Sequence, residues 1–219
     1  MKYNIIYADC PWQYDNPKNN DPAMGGITYD TMPVEEIMAL PVADLADRDC
    51  ALFMWATMPK LKEAFQVIEA WGFTYTTCAF VWIKLNRNAG FIEKIVNKIK
   101  YIIIEGGFYS GMGHWTNGNA ELCLFAKKGR PSRNTKNVKQ LVFSPLGRHS
   151  AKPPEVRNRI VELMGDVPRI ELFARDKADG WHSWGNEIQS DISLQTKDLA
   201  YQKPLSEDIL NEYKMENFL

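Results

Sequence analysis

Apolar and polar residues fall into short blocks along the chain, and the blocks predict strands and helices in turn. Tyr3–Ala8 (YNIIYA) is a continuous apolar run that stops at Asp9-Cys10-Pro11, the pattern of a buried strand ending in a loop. Residues 13–31 carry Asn, Asp, Pro and Gly-Gly and predict a long irregular loop. Pro33–Leu40 predicts a short helix with proline near its start. Ala51–Thr57 predicts a second strand. Pro59–Trp71 has helical spacing, with Leu61, Ala64, Phe65 and Ile68 on one face and Gly72 as its stop. Thr74–Ile83 is rich in threonine and aromatics and predicts a third strand. The stretch 84–120 is ambiguous, because IEKIVNKIKYIII suits helix, strand or both, and five glycines from Gly106 to Gly118 follow it. Glu121–Ala126, Gln140–Phe143 and Arg169–Phe173 predict further strands, and Pro153–Met164 a helix ended by Gly165. From about Leu205 the tail suits one amphipathic helix or partial disorder.

Strands alternating with helices predict an open, mostly parallel α/β sheet. Ligands of such sheets bind beyond the carboxyl ends of the strands. Asp9 and Arg175 each follow an apolar strand, so two polar clusters remote in sequence are expected on one rim. There is no internal repeat and no clear boundary between domains, so residues 1–190 are expected to form one domain and 191–219 a C-terminal tail or helix.

Composition narrows the class. The 219 residues are 45% hydrophobic and 24% charged, as in an ordinary folded domain. No apolar run approaches the roughly 20 residues that span a bilayer, and the N-terminus lacks a secretory pattern, so a cytoplasmic protein without membrane contact is expected. Cys10, Cys50, Cys78 and Cys123 are far apart, which argues against a disulfide framework or a metal site. Net charge is −1, yet Lys127–Lys152 holds eight Lys/Arg and no acid. Such a run suits phosphates, although a solvated loop face is its commoner origin.

Four ordered segments carry a resemblance. Asp9-Cys10-Pro11-Trp12 resembles the D-P-P-W motif of the MT-A70 family of adenine-N6 methyltransferases. Gly113–Leu124 (GHWTNGNAELCL) resembles the family's G-x-W-x-N-x-x-x-E segment, and Arg148–Glu155 (RHSAKPPE) its S-x-K-P-x-E segment. Arg169–Asp176 with Trp184–Glu187 resembles its cofactor strand and the following Gly-Asn. The likeness covers about residues 3–188. It implies a Rossmann-like S-adenosylmethionine-dependent methyltransferase fold, a mostly parallel sheet with helices on both faces. The motif order is permuted, with the catalytic motif before the cofactor motif.

The resemblance also assigns roles. Asp9 and the carbonyl of Cys10 would accept the two N–H bonds of the target amine, whose nitrogen gains positive charge as it attacks a methyl group. Pro11 stiffens the loop and Trp12 would stack on the base. The tetrapeptide by itself equally fits a strand-ending turn with a partly buried tryptophan. Cys10 stands where the family has proline, which keeps the carbonyl and loses some stiffness. Lys152, beside Ser150, matches the lysine for the cofactor's methionine carboxylate. Arg175 and Asn186 match residues that bind its ribose; Glu171 and Phe173 are implied in the same pocket. Glu187 replaces a common glutamine. Asn117 and Glu121 match the target-side segment, with His114 and Trp115 as further pocket residues. Trp82 and Lys84 would line the base or backbone channel, or Trp82 is a core aromatic. His149 suits a structural role. No residue is matched to the cofactor's adenine ring.

Two other signals fail. Met112 stands where a P-loop needs lysine, and Thr116 where a dinucleotide fingerprint needs its third glycine. The expected activity is methylation of adenine N6 in nucleic acid, DNA favoured over RNA, with S-adenosyl-L-methionine as cofactor and no metal. The basic stretches Lys127–Lys139 and Lys84–Lys100 are the candidates for phosphate contact. The alternatives are an RNA enzyme or a non-catalytic partner of an active subunit. A homodimer or heterodimer is compatible with any of these.

Overall fold

The computed structural model describes residues 1–14, 30–111, 115–148 and 151–194, with backbone alone at Tyr101. His114, His149, Ser150 and the tail beyond 194 lie outside the described residues. Seven strands form one sheet in the order β7-β3-β6-β2-β1-β8-β9. They are β1 (Tyr3–Ala8), β2 (Ala46–Ala56), β3 (Thr74–Leu85), β6 (Ala120–Lys128), β7 (Leu141–Pro145), β8 (Arg169–Leu172) and β9 (His182–Trp184). β4 (Gly90–Val96) and β5 (Ile99–Glu105) make a separate hairpin. Six strands of the large sheet are parallel, and β6 alone runs against its neighbours β2 and β3.

β1 lies between β2 and β8, paired in parallel with both. That position explains its unbroken apolar run, since a central parallel strand is covered on both faces. Alternate residues feed opposite cores. Ile6 and Ala8 join Leu52, Met54, Leu124 and Ile170 on the face covered by α1 (Val34–Ala39) and α2 (Leu61–Ala70). Ile5 and Tyr7 join Phe53, Trp55, Phe80 and Trp181 on the face covered by α3 (Glu155–Met164). Helices thus cover both faces, giving the expected Rossmann-like α/β sheet. Trp71 illustrates how a helix end is locked: it is fully buried and its indole N–H donates to the Ile37 carbonyl at 2.9 Å. Among the described residues no helix is long and apolar enough to cross a membrane.

Within the ambiguous stretch 84–120, the run IEKIVNKIKYIII resolves into strand. β3 continues through Lys84 and Leu85, and the β4–β5 hairpin then turns at Asn97-Lys98, both in the left-handed region (φ 50° and 64°). Positive φ at both central residues is the signature of a two-residue type I′ hairpin turn. β9 was not expected, because three residues carry too little pattern to read.

One expectation fails. Lys127 and Lys128 pair with Ala51 and Cys50, level with the start of β1 where Ile5 pairs with Ala51, and Arg130 N–H donates to Asp49 Oδ1 at 2.7 Å. Because β6 is antiparallel, the beginning of the basic loop lies at the rim opposite Asp9. This end of the Lys127–Lys139 stretch is therefore not where phosphates beside Asp9 would lie.

Candidate active site

Asp9, directly after β1, and the residues after β8 and β9 meet at the carboxyl ends of three adjacent strands. They line a cleft of about 400 Å³. Asp9, Cys10 and Pro11 form one wall, and Phe173, Arg175, Trp184, Gly185, Asn186 and Glu187 the other. Asp30, Thr31 and Met32 complete it. The volume lies in the range of small-molecule pockets, roughly 300–1,000 Å³. Asp30–Met32 carried no recognisable sequence signal. They are drawn in by a main-chain bond from Met32 N–H to the Pro11 carbonyl, 2.8 Å long.

The far wall rests on close backbone approach. A side chain on Gly185 would place its Cβ 2.0 Å from the Ala174 carbonyl oxygen, so only glycine lets these two segments cross. Phe173 adopts φ 59°, an uncommon conformation for a bulky residue, and turns its ring edge-on to Trp184 with centroids 5.3 Å apart. Backbone strain of this kind typically costs about 1–3 kcal/mol and concentrates at binding sites. Arg175 Nε donates to Glu187 at 2.6 Å, which orients the carboxylate at the cleft wall. Apolar rings, a carboxamide and a paired guanidinium–carboxylate together suit a flat nucleoside with ribose hydroxyls.

On the other side of Asp9 lies a chain of four alternating charges. Lys152 Nζ stands 2.8 Å from Asp9 and 3.4 Å from Glu121 Oε2, and Lys84 Nζ stands 2.5 Å from Glu121 Oε1. The four side chains come from β3, β6, the loop before α3 and the end of β1. They are nearly buried: Lys152 is 9% exposed, Glu121 10%, Lys84 19% and Asp9 24%. Aromatic faces back the ammonium groups, with Lys152 5.9 Å from the Trp55 ring and Lys84 5.1 Å from Trp82. Burial pushes the Asp9 carboxyl above the usual carboxylate value, and Lys152 only partly offsets it. Burial also acts on Glu121, but the ammoniums of Lys152 and Lys84 together hold it below its ordinary value. Two adjacent carboxyls are thus pushed apart in affinity for a proton.

The remaining residues fall in several places. Cys10 is buried, and burial together with the Asp9 charge raises its thiol. Among the described residues its carbonyl accepts one main-chain bond, from Trp12 N–H at 2.9 Å, which leaves one lone pair for another donor. Trp12 is 5% exposed and bonds the Trp55 carbonyl through its indole at 3.3 Å. The ring sits in the core, so stacking on a base would first require uncovering it. Trp82 is likewise buried and donates to the Ser144 carbonyl. Glu171 points away from the cleft wall, under α3, where Arg157 grips both its oxygens at 2.5 and 2.7 Å. Asn117 is exposed near the Gly111–Gly118 bridge, and Trp115 is 97% exposed.

Comparison with known proteins agrees with this architecture. Residues 3–187 match the MT-A70 family. The chain is 32% identical over 205 residues to the Mycoplasma sp "Type II methyltransferase M.MunI", covering 85% of this chain and 78% of that protein. It is 27% identical to the Arabidopsis thaliana "N(6)-adenosine-methyltransferase MT-A70-like" and 27% identical to the Homo sapiens "N(6)-adenine-specific methyltransferase METTL4". It spans only 24% and 37% of those two longer proteins. The chain belongs to the MT-A70 family.

Proposed function

We propose that this chain is an S-adenosylmethionine-dependent methyltransferase that acts on the N6 amine of adenine, in DNA rather than RNA. The carrying observation is the place of Asp9, shared between an apolar nucleoside-sized cleft and a buried ionic chain. Family membership, the Mycoplasma relative's name as a "Type II methyltransferase" and the human relative's name as "N(6)-adenine-specific" support the reaction.

The donor supplies an electrophilic methyl group on a sulfonium. Arg175, Asn186, Glu187 and the Phe173 ring would hold it in the cleft, and Lys152 offers a cation to its carboxylate. Asp9 accepts a hydrogen bond from the target amine and, as a carboxylate, stabilises the positive charge that develops on N6. The free lone pair of the Cys10 carbonyl accepts the second N–H. Lys152 orients Asp9 and favours its ionised form against the penalty of burial. A duplex substrate must present its base extruded from the stack, which costs a few kcal/mol. The chain is expected to work in the cytoplasm.

The test is a parallel assay with labelled donor on duplex DNA, single-stranded DNA and RNA, with N6-methyladenine as the readout. Transfer to DNA is expected. Preference for RNA overturns the substrate choice. Absence of donor binding in calorimetry supports a non-catalytic partner instead.

A further inference from the structure

The hairpin formed by β4 and β5 stands apart from both cores. Among the described residues its strands pair only with each other, and every residue of β4 is exposed. Paired residues share a face, so the register divides the ribbon. Ile92 with Ile103 and Val96 with Ile99 lie on one face, and Phe91 with Ile104 and Ile102 with Glu93 on the other. Ile95, Ile102 and Ile99 are 73%, 65% and 57% exposed. A lone two-stranded ribbon is marginally stable in water, and apolar faces with open edges invite another strand.

Composition argues against nucleic acid as the occupant. The ribbon has three lysines against two glutamates, and Lys100 is 2.6 Å from Glu93. Binding to phosphates depends on an excess of cations.

The two edges differ in how they meet their own copy. When identical antiparallel strands join about a two-fold axis normal to the sheet, matching faces come together and the central residue faces itself. On β4 the central residue is Glu93, so a central axis opposes two glutamates. On β5 an axis at Ile102 opposes Ile102 to its counterpart, Lys100 to Ile104 and Ile99 to Glu105, with no like charges facing. Hydrogen-bond phase agrees. Val96 and Ile99 close the two-residue turn, so bonded pairs recur at every second position, and the main-chain groups of 100, 102 and 104 face the open edge.

We propose that β5 is a self-association edge, through which the hairpins of two copies of this chain join as one four-stranded antiparallel sheet. The inference does not depend on the enzymatic reading. A ribbon of seven-residue strands is about 24 Å long and about 10 Å wide. The surface it offers is well under the roughly 800 Å² per partner of a stable interface, so the dimer dissociates on the order of micromolar concentration.

Sedimentation velocity on the full chain, from about 1 to about 100 μM, reads the equilibrium. Dimer is expected to grow with concentration. Ile102→Lys should weaken dimerisation about tenfold or more, because it opposes two lysines on the axis, while Ile95→Lys on β4 leaves it unchanged. Ile102→Cys should cross-link to dimer with a short bismaleimide, whereas the unsubstituted chain and Ile95→Cys should not. Circular dichroism confirms that the exposed substitutions fold. A monomer at all concentrations overturns the proposal. So does a dimer indifferent to Ile102→Lys, equal cross-linking at positions 95 and 102, or Ile102→Lys acting only on nucleic-acid binding.

Discussion

The two sides of Asp9 are built on opposite principles. Toward β8 and β9 the wall is made of backbone crossings and ring edges, with Gly185 against Ala174 and Phe173 against Trp184. Toward β6 and β3 it is made of charge, with Lys152, Glu121 and Lys84 stacked behind the carboxylate. The first side holds shape; the second holds a protonation state. A donor that must be bound and released suits the former, and an acceptor whose charge changes during reaction suits the latter. Shape should therefore fail by loss of affinity, and charge by loss of rate or stability, with Lys152 alone also acting on donor affinity through the donor's carboxylate.

The sharpest way to separate the sides is Asp9→Ala. It should lower methyl transfer about 10²–10³-fold or more while calorimetric donor affinity changes little. Equal loss of both would merge the two sides into one function. Glu121→Gln tests the charged side as structure. It leaves two nearly buried ammoniums without their shared anion, which typically costs about 3–5 kcal/mol and would appear in urea unfolding. Adding Lys84→Met should restore part of the loss, and an additive double mutant would refute the coupling. Since Glu121 titrates below its ordinary value, its contribution is present at neutral pH and lost only as pH falls through that depressed value.

Gly185→Ala probes the shape side. Forcing a methyl group against the Ala174 carbonyl typically costs about 1–3 kcal/mol and should weaken donor binding with little effect on the bound-state rate. The pH profile gives a smaller, directional effect. Catalysis needs Asp9 ionised and burial raises its pKa, so the acid limb should lie above the usual carboxylate value. Removing the favourable cation with Lys152→Met should move that limb further up; a limb that stays in place would separate Lys152 from Asp9 in function. The smallest effect is expected at the opposite rim. Replacing Lys127 and Arg130 by Ala should leave DNA affinity within about twofold, because these residues lie away from the cleft.

How much was legible follows from the range of each signal. The end of β1 could be read because an apolar run stopping at Asp9-Cys10-Pro11 is a local event. The helix expected at Pro59–Trp71 appeared as the ten residues of α2, Leu61–Ala70, since its apolar face repeats locally. The hairpin was unreadable because β-branched residues interleaved with lysines satisfy two periods at once, and only the backbone at Asn97-Lys98 decides between them. Trp12 and Trp82 looked like candidates for a base because aromatic residues serve sites and cores alike, and burial at 5% and 2% exposure is a property that only the packed sheet reveals. Glu171 was expected in the cleft from its motif, but alternation along β8 turns it beneath α3 toward Arg157.

The order of residues determined the strand-and-helix alternation, the rim on which Asp9 and Arg175 stand, and the family to which the chain belongs. These depend on hydrophobic period and on short motifs, which survive in one dimension. Strand direction, the four-charge chain and the cleft wall at Asp30–Met32 came only from the tertiary structure. Each joins segments tens of residues or more apart or across a loop, and which of them meet is set by packing the whole sheet at once.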